Sequence, residues 1–302
     1  MKLVTGGHGF IARNISADQY VSRSDCDLTN LPEVNKIFAR NPIKTVIHCA
    51  AKIDSSLKME IGHSDYFLNN VRSDLNVLEA GHANGIKNIL MTGSISCLHN
   101  SPGETISEEN LYTGGVVESN FGYNSSKRIM IETCRVFQLD YGLNYKVALL
   151  GNMYGPHDRF SEDGLIIGKL INAIDKAMVS NENVILGGNG YSERNFTYVQ
   201  DLNTIFDSMV EDTNCTPVIV SCSEYYSIAE VAMKLQEIMN FKGKIIFQNS
   251  SKHDSSRKVV DNSLIMSRKY NIKWTGLKSG LEKTVEWFYR NRESDFTCKS
   301  IE

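Results

Sequence analysis

Tyr123-Asn124-Ser125-Ser126-Lys127 sets a phenol and an ammonium four residues apart. On a helix that spacing puts both side chains on one face, one turn from each other. A free phenol titrates near pKa ~10 and exchanges protons poorly at neutral pH, and a neighbouring cation lowers that value toward the working range. Such a pair suits an enzyme that makes or breaks a carbonyl. Ser94, at the end of an apolar run upstream, offers a hydroxyl to the same oxygen. The Tyr/Lys spacing also fits an amphipathic helix with a solvated lysine, so a second signal has to decide.

That signal opens the chain. Lys2-Leu3-Val4-Thr5 reads as a strand that breaks into Gly6-Gly7-His8-Gly9-Phe10-Ile11-Ala12, a Gly-x-x-Gly-x-x-Ala turn with an apolar helical start. Gly6 and Gly9 permit a tight turn and a close approach of backbone to a pyrophosphate, and the small Ala12 permits close helix-to-strand packing. A dinucleotide would meet Gly6, His8, Gly9, Phe10 and Ile11. The bland alternative is an ordinary glycine-rich turn between strand and helix.

The elements that must position these groups read from periodicity. A short helix leads to residues 20–28, where a second strand ends near an adenosine ribose. Ser22 and Arg23 there suit a 2′-phosphate, whereas a carboxylate would suit free ribose hydroxyls; Arg23 also reads as an exposed loop arginine. Residues 42–52 form a strand buried on both faces that runs into Ala50, Ala51 and Lys52, whose small leading side chains leave room for a cofactor. His48 reads as a residue of that core strand. Phe67, Val71, Leu75 and Leu78 recur at helical spacing. Residues 86–94 are the next strand, with Ser94 at the carboxyl edge where ligands of open parallel sheets collect. The polar loop 98–120, with Gly103, Gly114 and Gly115, reads as a cover over substrate. After Tyr123 a helix buries Met130, Cys134, Phe137 and Tyr141 and stops at Gly142. Residues 145–150 are another core strand and 152–158 the loop leaving it. Helices over 165–178, 226–239 and 281–289, strands over 183–186 and 244–248, and a turn at 187–190 follow. The fold class is α/β, a Rossmann-type doubly wound parallel sheet with a smaller C-terminal α+β domain. The expected boundaries are 1–157 for the dinucleotide domain, completed by segments around 191–222, and 158–302 mainly for the substrate domain.

At 302 residues the chain supports one or two domains, and its net charge of −3 without a basic stretch argues against nucleic-acid or membrane-surface binding. No apolar run reaches the ~18 residues of a membrane span, and no charged-then-apolar leader precedes the first strand, so a soluble, cytoplasmic protein is expected. Seven scattered cysteines without a Cys-x-x-Cys or Cys/His cluster point to reduced thiols and no metal.

The residues 5–12, Ser94, Tyr123, Lys127 and Asn152-Met153-Tyr154-Gly155-Pro156 resemble the extended short-chain dehydrogenase/reductase family. Within it they are most similar to the GDP-L-fucose synthases, whose order Ala50-Ala51-Lys52, Leu111-Tyr112-Thr113-Gly114, Tyr154-Gly155-Pro156-His157-Asp158 and Arg257-Lys258-Val259-Val260-Asp261 also follows. The similarity runs over about residues 1–290. It implies NADP(H), a nucleotide-sugar substrate and a homodimer built on the helices bearing Leu75 and Met130. It also implies that Asp27 and Leu28 contact adenine, though Asp27 reads equally as a helix cap, and that Asn70 lies near the cofactor unless it is a surface or capping residue. Arg23 matches a family arginine, while His8 stands where the glycine-rich loop usually adds another. Arg194, in Arg194-Asn195-Phe196-Thr197-Tyr198-Val199-Gln200-Asp201, and the pair Arg257-Lys258 are implied at the nucleotide diphosphate and sugar, the pair reading alternatively as an exposed loop. Asn152 and Ser96 are implied beside the substrate.

The resemblance breaks at the epimerase half. Fucose synthases move the C3 and C5 protons with a cysteine and a histidine, where this chain has Ser96 and Ile166. A hydroxyl is too weak an acid for that work and an alkyl group has no proton to give. Cys97 is one residue off, on the opposite side of an extended strand. Everything that reduction needs is present. The expected activity is therefore NADPH-dependent C4 reduction of a GDP-linked 4-keto-6-deoxy sugar without epimerisation. The alternatives are a bifunctional fucose synthase whose proton carriers have moved to His157 or Cys97, and a non-catalytic NADP-binding sensor or scaffold.

Overall fold

Runs of branched apolar residues closed by glycine or polar residues make the strands, and longer stretches with apolar residues every third or fourth position make the helices. The computed structural model describes residues 1–40, 42–54, 56–98, 104–248, 258–268 and 270–295. In chain order these are β1 Lys2–Thr5, β2 Gln19–Val21, α1 Leu31–Ala39, β3 Thr45–His48, α2 Ser56–Met59, α3 His63–Ala83, β4 Asn88–Ser94, α4 Phe121–Tyr141, β5 Asn144–Leu150, β6 Asn152–Tyr154, α5 Ile166–Ser180, β7 Val184–Gly187, β8 Glu193–Tyr198, α6 Leu202–Glu211, β9 Val218–Val220, β10 Tyr225–Ser227, α7 Ile228–Ile238, β11 Ile245–Gln248, α8 Ser263–Ser267 and α9 Leu277–Asp295. The chain divides into two compact units. One holds 1–151, 200–221 and 259–273, the other 152–199, 222–258 and 274–302.

The first unit is built on a six-stranded parallel sheet in the order β2-β1-β3-β4-β5-β9. Its strands are buried on both faces, with Leu3, Val46, Ile89, Met91, Tyr145, Val147 and Leu149 in one apolar cluster. The doubly wound sheet expected from the sequence is therefore present. β2 and β3 lie on opposite sides of β1, so chain leaving β1 and chain leaving β3 part at a switch point, where such sheets form a crevice. There Gly6 has φ +75°, and a Cβ on it would sit 2.8 Å from the Ala50 backbone.

Three expectations change. The helix after the glycine-rich turn is a three-residue 3₁₀ turn, Ala12–Asn14, too short to bring a helix dipole to a phosphate. The long helix α3 does form, but its buried side is Tyr66, Asn70, Ser73, Asp74, Val77 and Leu78, while Leu75 of the expected apolar stripe is exposed. On α4, Met130 and Cys134 are buried as expected and Gly142 caps the helix at φ +61°, but Tyr141 is exposed and stacks on His82. The face of α3 turned into the molecule mixes apolar Val77 and Leu78 with polar Asn70, Ser73 and Asp74 that find partners there, which leaves Leu75 outside.

The second unit holds two small sheets, β10-β8-β6 and β11-β7, with α5, α7 and α9. Its core gathers Tyr154, Ile171, Phe196, Leu235, Leu281 and Phe288. Residues 152–154, expected as loop, pair with β8 as strand β6. Two strands, β8 and β10, were not expected as such, because their polar and aromatic residues show no clean alternation.

Candidate active site

β4 delivers Ser94 at its carboxyl end, and the first turn of α4 delivers Tyr123. That turn comes so close to the start of α3 that a Cβ on Gly122 would lie 2.1 Å from the His63 carbonyl oxygen, so only glycine fits before the tyrosine. The Ser94 hydroxyl is near enough to the Tyr123 phenol to pull its pKa down. It also lies 2.8 Å from Ser96 Oγ and accepts from Ser96 N at 3.2 Å. Ser96 Oγ donates to Asn124 Oδ1 at 2.8 Å. The hydrogen-bonded run is thus Ser94, Ser96, Asn124, set beside Tyr123.

Lys127, one turn on from Tyr123, is 1% exposed and faces Asp74, which is 2% exposed, at 3.4 Å. Asp74 Oδ1 also meets His48 Nε2 at 2.9 Å, and His48 Nδ1 meets Thr5 Oγ1 at 2.7 Å. This overturns the expectation that Lys127 simply lowers the phenol. Burial pushes the Tyr123 phenol up, Cys97 and Asp74 push the same way, and the Ser94 hydroxyl pulls it down. The lysine charge is met by a carboxylate that no local pattern announced.

At the crevice, Gly6 to Ile11 leave β1 with His8 and Gly9 exposed and Phe10 and Ile11 half-buried. Ala50, Ala51 and Lys52 leave β3. Asn70, buried on α3, clamps them through Lys52 N to Oδ1 at 2.7 Å and Nδ2 to Lys52 O at 3.0 Å. Asn70 is thus neither a surface nor a capping residue. Beyond β2, Arg23 is exposed. Ser22 turns its hydroxyl to Asp25 at 2.6 Å and donates its N–H to the same carboxylate, and those two bonds hold Asp25 below the usual carboxylate range. Asp25 was not anticipated. Asp27 accepts from Thr29 N and Oγ1, and both bonds hold it low as well; α1 is capped by Asn30 instead. Leu28 packs against the core and its carbonyl accepts from Asn76. The glycine cradle over Ala50, exposed backbone at 8–9 and the exposed Arg23 guanidinium fit an anionic dinucleotide.

In the second unit, Asn152 donates to the Asn195 carbonyl at 3.1 Å across β6 and β8. Arg194 is half-buried, and desolvation holds its guanidinium below the ordinary value. Lys258, whose side chain reaches solvent, is lowered by desolvation and then by the Arg194 charge. The two cations repel each other, and an anion bound beside them would relieve that repulsion. Arg257 lies outside the described residues. His157 packs edge-on against Trp287, and Ile166 opens α5. Among the described residues no His, Cys, Asp and Glu group could hold a metal ion, and no helix is long and apolar enough to cross a membrane.

Of the expected groups, the first unit brings Ser94, Ser96, Tyr123 and Lys127 together, and the second brings Arg194 and Lys258 together. Sequence reasoning passed over Asp74, Thr5 and Asn124 and read His48 as a core residue. An aspartate on the inward face of an otherwise apolar-sided helix was the available signal.

Residues 2–220 match the NAD dependent epimerase/dehydratase family. The chain is 29% identical to a GDP-L-fucose synthase of Dictyostelium discoideum, over 97% of this chain and 96% of that protein. The solved GDP-L-fucose synthetase of Naegleria fowleri bound to NADP superposes with a TM-score of 0.90 at 24% identity, covering 97% of this chain and 93% of that one. A GDP-mannoheptose C4 reductase from Campylobacter jejuni with NADP bound gives 0.84 at 21% identity, covering 95% and 98%.

Proposed function

We propose that this chain, which belongs to the NAD dependent epimerase/dehydratase family, is an NADP-dependent oxidoreductase that reduces C4 of a GDP-linked 4-keto-6-deoxy sugar, hexose or heptose, without epimerising C3 or C5. The observation that carries it is the hydrogen-bonded run Ser94, Ser96, Asn124 beside Tyr123. It leaves the reducing set whole and uses the residue at the epimerase position as a hydrogen-bond link. Similarity over nearly the whole chain to GDP-sugar synthases and to the fold of a GDP-sugar C4 reductase supports the GDP-sugar reductase part of this reading.

Bound NADPH supplies the hydride that reduces C4. Tyr123 gives its phenolic proton to the alkoxide oxygen formed there, and Ser94 hydrogen-bonds that oxygen. Lys127 would hold the nicotinamide ribose, Gly6, His8, Gly9, Phe10 and Ile11 would meet the pyrophosphate, Asp27 and Leu28 would meet adenine, and Ala50, Ala51, Lys52 and Asn70 would shape the crevice. The first unit is thus the dinucleotide domain. The second binds the sugar nucleotide through Asn152, Arg194 and Lys258. The moved-carrier alternative is disfavoured at Cys97, which is fully buried with its thiol pushed up to about 11 by burial. Such a thiol does not abstract a carbon-bound proton near neutrality.

Turnover in deuterated water tests the absence of epimerisation. NMR of the product should show unchanged C3 and C5 configuration and no deuterium at either carbon; ring deuterium or an inverted C5 would overturn it. Ser96→Ala should slow reduction about fivefold, the worth of one neutral hydrogen bond of ~1 kcal/mol, and leave product stereochemistry as it was.

Arg23→Ala should weaken NADPH by about ten- to a hundredfold and leave NADH nearly unaffected, because only the 2′-phosphate offers an anion to the guanidinium. Fluorescence titration with both cofactors decides it, and equal losses would make Arg23 structural.

The exposed faces of α3 and α4 carry a groove lined by Leu75, Ile129, Val136 and Phe137 with Arg128 and Glu132. A homodimer through it, on the helices bearing Leu75 and Met130, is part of the proposal, though Met130 itself is buried and Ile129 and Val136 are the residues on offer. Sedimentation should give a dimer at micromolar concentration, and Val136→Glu should give a monomer.

A further inference from the structure

The buried charges behind Tyr123 have a use that reduction through Ser94, Tyr123 and Lys127 does not by itself require. Lys127, Asp74 and His48 come from α4, α3 and β3, and all are out of water. Burying even one ion costs several kcal/mol unless it is paired and hydrogen-bonded. Here the carboxylate accepts from both sides: Lys127 reaches Oδ2 at 3.4 Å and His48 reaches Oδ1 at 2.9 Å. Thr5 Oγ1, 2.7 Å from His48 Nδ1, donates to it when the imidazole is neutral, which leaves Nε2–H for Asp74. That arrangement is electrically balanced, with one cation, one anion and a neutral ring.

We propose that Asp74 is the positioning residue of the Tyr123/Lys127 pair: its carboxylate, held by His48 and Thr5, fixes the Lys127 ammonium one turn from Tyr123 and sets a buried anion behind the phenol, which suits the site to carbonyl reduction. An anion close to two ionisable groups favours the protonated form of each. For the ammonium this is ion pairing. For the phenol it opposes phenolate, and Asp74 is among the groups that push Tyr123 up. A reductase needs phenol, the proton donor, whereas the reverse oxidation needs phenolate.

The other titratable groups that face this set do not compete for the role. Cys49 just after β3 is pushed up to about 12 by burial, Cys97 after β4 to about 11, and Cys134 on α4 higher than either. All three thiols are uncharged through the physiological range. Asp74 is left as the anion that acts on the pair.

The inference rests on the proposed reduction, and its test has a readout independent of turnover. Asp74→Asn keeps an acceptor for His48 and removes the charge. In the reduction direction its kcat should fall on the alkaline side at a lower pH than in the parent protein, because the anion that opposes phenolate is gone. Asp74→Glu, which keeps the charge, should restore the limb even if its kcat is lower. NMR of ring-labelled tyrosine, with the Tyr123 resonance assigned by its loss in Tyr123→Phe, should show Tyr123 titrating at lower pH in Asp74→Asn without any substrate. If Asp74→Asn does not fold, Lys127→Met is compared with the charge-balanced Lys127→Met/Asp74→Asn, and Tyr123 should titrate lower in the double variant. An alkaline limb and a Tyr123 titration that stay in place would overturn the role of Asp74. A protein that reduces no 4-keto sugar, yet shows the Tyr123 shift, would sink the proposed function and leave the role of Asp74 standing.

Discussion

Tyr123→Phe is expected to bind NADPH as the parent protein does and to lose a factor of about 10²–10⁴ in turnover, the usual worth of a general acid. The substitution removes one oxygen from a side chain that is 7% exposed. Packing against Met59 and Tyr66 is retained. Ser94 keeps its contact with Ser96, so the hydroxyl run to Asn124 has no reason to rearrange. Single-turnover kinetics with saturating cofactor separate the chemical step from binding. A variant that keeps more than about a tenth of the parent rate would assign the proton to another donor.

Lys127→Met is expected to cost ~3–5 kcal/mol of stability besides abolishing most turnover, because it leaves the Asp74 carboxylate buried without its cation. Methionine fills nearly the same volume, so lost packing contributes little. Adding Asp74→Asn should return most of that stability: the buried charge is gone and His48 keeps its acceptor. It should return none of the turnover. Thermal unfolding of the two single variants and the double variant, read as a cycle, measures the coupling. Additive losses would mean that Lys127 and Asp74 do not interact as the 3.4 Å contact implies.

The strands β1, β3, β4 and β5 were legible because strands buried on both faces must be apolar along their whole length. Gly142 as the end of α4 was legible because a left-handed cap excludes nearly every other residue. The faces of α3 and α4 were misread for the opposite reason. An apolar stripe says that a helix face avoids water, and it does not say whether a core or another chain supplies the cover. At the candidate site the reacting trio was read from spacing, and the residues that hold it were not. Ser96 had been weighed as a missing acid, whereas its neighbours Ser94 and Asn124 make it a link in a hydrogen-bond chain.

The resemblance to fucose synthases implied that a thiol and an imidazole are missing at Ser96 and Ile166; residue type and local spacing by themselves determined a parallel α/β sheet with a glycine-rich turn at its first switch and the candidate hydroxyl, phenol and ammonium. These are properties of short segments, each carrying its own steric or chemical demand. Only the tertiary structure decided what the ammonium faces and how Ser94 is oriented. Lys127 meets Asp74 across 53 residues of sequence and Asp74 meets His48 across 26. Contacts between elements so far apart leave no periodic trace, because burial selects side chains by the space and partners that the packed elements provide.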